Sequence, residues 1–378
     1  MLTIRGIVAN VFMRMCSLFP LQDKVVLSCF DGKMAGDNPE ALYRELKRKK
    51  PNWKYVWMLD QYKKGYDDCI VVKPYSFRSL FELSTARLWI DNSRKKKWVY
   101  KRKKQYYVQT WHADVALKKV EKDAASDLSS TYIENAKYDS TIIDVMLSGS
   151  QFSTTNYRNA FWYKGDILEL GYPISTIFHE NPERYIEKVR NTFAIDNNVK
   201  IALYCPTFRS NDNLDVYNID YNRLVAILQR EFGGKWVVIV RLHPKLKRFQ
   251  SSITYNNVVL NASDYSSTNE LIVACDLLIT DYSSCMFYGL EAHKIVMLYA
   301  SDIDDYTRNE RGLYFDIKKL PFPLAQNNDE LERIIVEFDN EKYRNEAQRL
   351  YDQIGYKTTA DSTEQIVEYI LNEVAKRV

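Results

Sequence analysis

"KVVLSCFDGKMAGDNPEALYRELKRKK", residues 24–50, decides the fold class. Its opening "KVVLSCF" (24–30) is a short apolar run that reads as a buried strand. "GDNPEALYRELKRKK" (36–50) then opens a helix, with Asp37 or Asn38 as N-cap and Pro39 in the first turn. The next apolar run, "KYVWML" (54–59), is again a strand. Strand, helix, strand in this order is the building unit of a parallel sheet.

Outward from there the alternation continues. "CIVVK" (69–73), "RLWID" (87–91), "YYVQT" (106–110) and "DVMLSG" (144–149) read as strands, with helical stretches between most of them. "LELGYP" (168–173) closes this series, because Gly-Tyr-Pro breaks regular structure. A second series runs through "KIALYCPT" (200–207), "KWVVIVRLH" (235–243), "NVVLN" (257–261), "CDLLITD" (275–281) and "KIVMLYA" (294–300). Helical segments at about 328–350 and 361–376 follow. The expected class is α/β: two Rossmann-like domains, 23–171 and 172–378, facing a cleft, with ligand sites at the carboxyl ends of the strands. The last helix is placed in the second domain, free to pack back on the first.

The 378 residues suffice for two domains, and 46% hydrophobic content suffices for real cores. Six cysteines form no CxxC pair and no zinc-like spacing with histidine, and read as reduced core residues. No GxGxxG follows the first strand and no GxxxxGK[ST] occurs, which removes dinucleotide oxidoreductases and P-loop NTPases. "SDIDDY" (301–306) contains a D-x-D triplet, too little to assign a metal, and no metal ligand or cofactor is expected.

Charge is uneven. Residues 1–120 carry 25 Lys+Arg against 11 Asp+Glu, and the remainder carries 28 against 38. Such a basic front half calls for an anionic partner: membrane lipid, a phosphorylated substrate or nucleic acid. Nucleic acid is set aside, because no RRM, KH or zinc-finger signature accompanies the basic run. That run, "RKKKWVYKRKK" (94–104), holds Arg94, Lys95, Lys96, Lys97, Lys101, Arg102, Lys103 and Lys104. It reads either as a solvated loop or as a surface for an anionic membrane and acceptor.

The first 22 residues form a segment of their own. Ile4, Ile7, Val8, Val11, Phe12, Met15, Leu18 and Phe19 fall on one helical face, with Arg5, Asn10, Arg14 and Ser17 off it. Arg14 interrupts the apolar stretch, which is too broken to span a bilayer or serve as a signal peptide. Two readings stand: an amphipathic helix on a membrane surface, or a helix packed on the first domain. The nearby basic run favours the membrane.

Four polar clusters terminate strands. His112 ends the strand in "YVQTWHADVALKK" (107–119); Thr207 and Arg209 follow a strand in "CPTFR" (205–209); Arg241 and His243 do so in "RLHP" (241–244). In "TDYSS" (280–284), Asp281, Ser283 and Ser284 sit where a strand turns into a helix. Such a terminus offers free N–H groups to an anion, although Asp or Ser there also caps a helix without any ligand. An arginine fork and an imidazole on the same sheet edge favour phosphate, and a histidine facing it from the other domain suits a base.

"QTWHA", "GYP", "CPTFR", "RLHP", "TDYSS" and "RGLYFD" (311–316), with the earlier "GDNPEALYREL" (36–46), occur in an order that resembles the CDP-glycerol glycerophosphotransferases, the teichoic acid primases and polymerases. The resemblance runs from about residue 24 to about 320 and implies a GT-B fold. It implies His112 as catalytic base, His243, Ser283 and Ser284 at the donor pyrophosphate, and Arg209 and Arg311 in supporting roles. It further implies transfer of glycerol phosphate from CDP-glycerol to a hydroxyl of an undecaprenyl-pyrophosphate-linked saccharide, releasing CMP, at the cytoplasmic face of the membrane. Ala113 replaces the family's usual glycine after the histidine, which bears on the acceptor. Rival readings are a CDP-ribitol or capsule polyol-phosphate transferase, a nucleotide-sugar glycosyltransferase, or a silent anion-binding module.

Overall fold

The computed structural model describes residues 3–61, 65–209, 215–243, 245–246, 250, 253–309 and 312–377. Two parallel sheets organise them, each at the centre of its own compact unit. The first sheet comprises β1 (Gln22–Ser28), β2 (Lys54–Met58), β3 (Ile70–Val72), β4 (Ala86–Asp91), β5 (Tyr106–Gln109), β6 (Val145–Leu147) and β7 (Asp166–Leu168), in the order β3-β2-β1-β4-β5-β6-β7. The second comprises β8 (Val199–Cys205), β9 (Lys235–Val240), β10 (Val259–Asn261), β11 (Leu277–Thr280), β12 (Ile295–Tyr299) and β13 (Leu324–Ala325), in the order β10-β9-β8-β11-β12-β13. Each order reverses direction once, between β1 and β4 and between β8 and β11. In open α/β sheets that reversal is where the crevice for ligands forms.

Helices α1 (Ile4–Cys16), α2 (Asp37–Lys49), α3 (Phe77–Thr85), α4 (Ser130–Ile142) and α5 (Gln151–Ala160) belong to the first unit. The second holds α6 (Glu183–Phe193), α7 (Tyr221–Phe232), α8 (Thr268–Ala274), α9 (Cys285–Glu291), α10 (Ile303–Asn309), α11 (Asn328–Val336) and α12 (Asn340–Ile354). The segment expected as one helix at 328–350 is thus two, parted before Asn340, where the Asp339 carboxylate caps α12 through the Lys342 N–H.

Alternation along β1 sorts the first core. Val25, Leu27 and Cys29 face Leu42 and Leu46 of α2, while Val26 faces Ala9 and Met13 of α1 and Leu80 and Leu83 of α3. The final helix, α13 (Ser362–Ala375), belongs with the first unit. Its Ile366, Val367, Ile370 and Val374 are buried in the same core as Leu42 and Leu46, each contributing about 2 kcal/mol. Lys49 of α2 bonds Glu364 and Glu368 of α13. Gly171 has φ +103°, and a Cβ there would lie 2.4 Å from Ser362 Oγ, so only glycine lets this turn meet α13. The units therefore divide after Thr176, and the chain rejoins the first unit at Tyr356, where the sequence drew one boundary after residue 171.

Helix α1 packs on the first unit through Gly6, Ala9, Met13 and Cys16; Gly6 lets it approach the Trp98 ring, and Asn10 donates to the Trp98 carbonyl at 2.7 Å. Most of its apolar stripe turns outward: Ile4, Ile7, Val8, Val11 and Met15, with Leu18 and Phe19 just beyond the helix, are 49–87% exposed, whereas Phe12 packs against the first core. One face of the helix is thus packed on the first unit, and the other leaves apolar side chains exposed. Among the described residues no helix is long and apolar enough to cross a membrane.

Candidate active site

At the carboxyl edge of the first sheet, β5 ends in a left-handed turn. Trp111 has φ 54°, its N–H donates to Gln109 Oε1, and its ring packs edge-on against Phe161 at 4.7 Å. This turn swings His112 out of the strand line into an exposed position. The imidazole lies 4.3 Å from the Trp111 ring and 5.5 Å from the Phe30 ring. Its Nδ1 is 3.0 Å from the backbone carbonyl of Asn92. A carbonyl only accepts, so Nδ1 carries the proton and the lone pair of the neutral ring sits on Nε2. That is the tautomer of a base acting through Nε2. Ala113 is not among the residues with positive φ, so its methyl group imposes no backbone strain where a glycine was expected. Asp114 anchors the following turn by accepting from the Gly149 N–H at 2.8 Å.

Left-handed residues recur at this edge, among them Phe30, Asp31 and Gly32 after β1, Asp37 at the start of α2, and Trp111. Asp37 does not cap α2 through its side chain. The N-cap position falls on Gly36 without a side-chain bond, and the Asp37 carboxylate instead accepts from Asn92 Nδ2 at 2.6 Å. Burial raises the Asp37 carboxyl to about 6, against the lowering effect of that bond.

The carboxyl edge of the second sheet collects Thr207, Arg209, Arg241, His243, Asp281, Ser283 and Ser284. His243 is exposed, and its Nδ1 accepts from the Lys245 N–H at 3.2 Å. The neutral ring therefore carries its proton on Nε2, opposite to His112, and presents a donor. Partial desolvation of the ring, then Lys245 and Arg241, hold its pKa below the ordinary value, which favours the neutral form. Ser283 Oγ accepts from the Cys285 N–H at 3.3 Å, at the start of α9. Ser284 Oγ accepts from the Leu117 N–H at 3.2 Å. Leu117 belongs to the segment Val115–Lys119, which is part of the second unit and bridges to Leu313 through Lys118.

The other polar residues of this edge turn inward. Arg209, 5% exposed, bonds Asp302 at 2.8 Å and Asp281 at 2.9 Å, and its Nη1 donates to the Thr207 carbonyl. Asp281 Oδ1 accepts from the Thr207 and Tyr282 N–H groups. The fork expected to grip phosphate is thus held by two carboxylates, and Asp281 serves as a strut between β8 and α9. Asp302 of the D-x-D triplet is bonded by Arg209 and Tyr282. Arg241 donates to Thr268 Oγ1 and to the carbonyls of Ala262 and Tyr265. Arg311 lies outside the described residues.

The basic run is not one solvated loop. Arg94 is buried between Glu121 at 2.9 Å and Asp139 at 3.2 Å, and Lys95 is buried against Asp91. Lys96 pairs with Asp31, Lys97 with Glu134 and Lys101 with Asp144, while Arg102 donates to the Phe19 carbonyl. Lys103 and Lys104 are exposed. Sequence reading counted the cations but had no means of seeing the carboxylates that the fold brings to them. Asn92 was missed as well; its only signal is a polar residue following the strand "RLWID".

Residues 11–372 match the family model described as CDP-Glycerol:Poly(glycerophosphate) glycerophosphotransferase. The chain is 28% identical over 377 residues to the teichoic acid poly(glycerol phosphate) polymerase of Bacillus spizizenii, covering 96% of this chain and 95% of that protein. It is also 28% identical to the Bacillus subtilis protein of the same name, but spans only 50% of its length. Similarity to the teichoic acid glycerol-phosphate transferase of Staphylococcus aureus is 29% identity over 86% of each. Among solved structures, a variant of the wall teichoic acid polymerase TagF soaked with CDPG superposes with a TM-score of 0.82 at 25% identity, covering 98% of this chain and 94% of that one.

Proposed function

The chain belongs to the CDP-glycerol:poly(glycerophosphate) glycerophosphotransferase family, with the GT-B fold, and on that premise we propose that it moves glycerol phosphate from CDP-glycerol to a hydroxyl of a lipid-linked teichoic acid precursor, releasing CMP. The observation that carries the reading is the pair of ring contacts at the two sheet edges, His112 Nδ1 on the Asn92 carbonyl and His243 Nδ1 on the Lys245 N–H, which require opposite tautomers of the neutral rings. His112 Nε2 takes the proton of the acceptor hydroxyl as its oxygen attacks the phosphorus bearing glycerol. A new P–O bond forms there and the bond to the CMP oxygen breaks. His243 Nε2–H, with the hydroxyls of Ser283 and Ser284, supports the charge that collects on departing CMP. Arg209 and Asp281 act behind this set by holding the turn between β11 and α9 against the end of β8.

We place the enzyme on the inner membrane surface, where the lipid-linked acceptor resides. The outward apolar stripe of α1 supports this, with Lys103 and Lys104 supplying cationic attraction. CMP release from CDP-glycerol, compared with CDP-ribitol, tests the donor. His112→Ala and His243→Ala are each expected to lower turnover by at least a hundredfold while the protein stays folded. A folded His112→Ala protein with near wild-type turnover refutes the base assignment.

A further inference from the structure

The carbonyl that fixes the tautomer of His112 belongs to a residue whose side chain is itself locked on every side. Asn92 is fully buried. Its Oδ1 accepts from the Phe30 N–H at 2.7 Å, just after β1. Its Nδ2 donates to Asp37 Oδ2 at 2.6 Å and to Cys29 Sγ at 3.3 Å. One amide therefore ties the ends of β1 and β4 to the start of α2, at the reversal point of the sheet, while its own backbone carbonyl holds the imidazole from β5. The Phe30 ring, next to the bonded N–H, flanks the imidazole at 5.5 Å.

From this geometry we infer that Asn92 is the positioning residue of His112, with Asp37 as the acceptor that keeps the Asn92 amide, and so its carbonyl, in register. The inference rests on the reading of His112 as base. The amide is needed because its two ends do different work: Oδ1 must accept from Phe30 and Nδ2 must donate to Asp37. A carboxylate at 92 still accepts from Phe30 but meets the Asp37 carboxylate with no donor between them. Two carboxylates at that separation hold one proton jointly, and lose it as pH rises. An imidazole displaced by about an ångström loses on the order of a hundredfold in rate.

The test is CMP release by the full chain between pH 6 and 9, with donor KM and melting temperature measured on each variant. Asn92→Asp is expected to work within about fivefold of wild type at pH 6 and to fall about a hundredfold below it by pH 9, with donor KM changed less than twofold. Combining Asp37→Asn with Asn92→Asp restores a donor facing an acceptor, with the roles exchanged, and is expected to remove the alkaline loss. Nitrogen-15 shifts of the His112 ring read the tautomer independently of turnover: Nδ1–H in the wild type and the double variant, mixed in Asn92→Asp at pH 9. A folded Asn92→Asp protein with the wild-type pH profile and tautomer overturns the inference, as does a double variant no better than the single one. If His112→Ala keeps its turnover, the base assignment fails instead, and the ring shifts still decide whether Asn92 sets the tautomer.

Discussion

Asp37→Asn should stabilise the protein at neutral pH while leaving it active. The carboxyl stands at about 6 in the folded chain against an ordinary 3.8, with burial as the main cause. An acid raised on folding adds stability below its unfolded pKa and loses that contribution as pH climbs through the folded value. Above about pH 6 the wild type therefore bears the full penalty of an ionised, poorly solvated carboxylate. That interval corresponds to about 3 kcal/mol for a wholly dry group, and about half that once its partial solvent contact is counted. Asparagine still accepts the Asn92 bond but has no charge to desolvate. For a unit of roughly 200 residues, about 1.5 kcal/mol is about 3–6 °C in melting temperature. Thermal melts of both proteins at half-unit pH steps from 4 to 8 provide the assay. The asparagine variant should melt higher at pH 7–8, the gap should close between pH 6 and 4, and turnover should stay within about threefold. Equal melting at pH 8, or a gap that does not change with pH, would falsify the assignment of a strained carboxylate.

Two further outcomes follow from the surface and the buried network. Val8→Asp with Val11→Asp changes two side chains that are 50% and 51% exposed, so flotation with anionic vesicles should fall at least tenfold with melting unchanged within about 2 °C; unaltered flotation would remove α1 from the membrane contact. Arg94→Ala leaves Glu121 and Asp139 buried without their cation and should cost about 3–5 kcal/mol, whereas Lys103→Ala with Lys104→Ala should cost less than about 0.5 kcal/mol. Denaturant titration separates these, and comparable small losses in both would contradict the buried-pair account.

Most strands were legible because they are short apolar runs, and β1, β4, β8 and β11 fall on the quoted segments to within a residue or two, whereas β7 meets the quoted "LELGYP" only at Leu168. Strand β13, of two residues, has no apolar run long enough to announce it. At the site, His112, His243, Ser283 and Ser284 were visible as polar residues closing strands. Arg209, Arg94 and Lys95 were visible too, but as charges of unknown direction. Whether a guanidinium faces ligand or protein depends on which carboxylate the fold delivers, here Asp302 from after β12 and Asp139 from α4. Asn92 escaped because its role lies in a backbone carbonyl, which every residue possesses.

Helix α13 has a consequence for synthesis. The face of β1 that carries Val25 and Leu27 emerges from the ribosome early, yet Ile366 and Ile370, which help cover it, emerge after the whole second unit. At about 5–20 residues per second, the roughly 190 residues between Thr176 and Ile366 take on the order of 10–40 s. The nascent first unit must wait through it with part of its core in water. Slowing translation late in the message, or removing α13, should therefore reduce the recovery of a unit whose strands were all made long before.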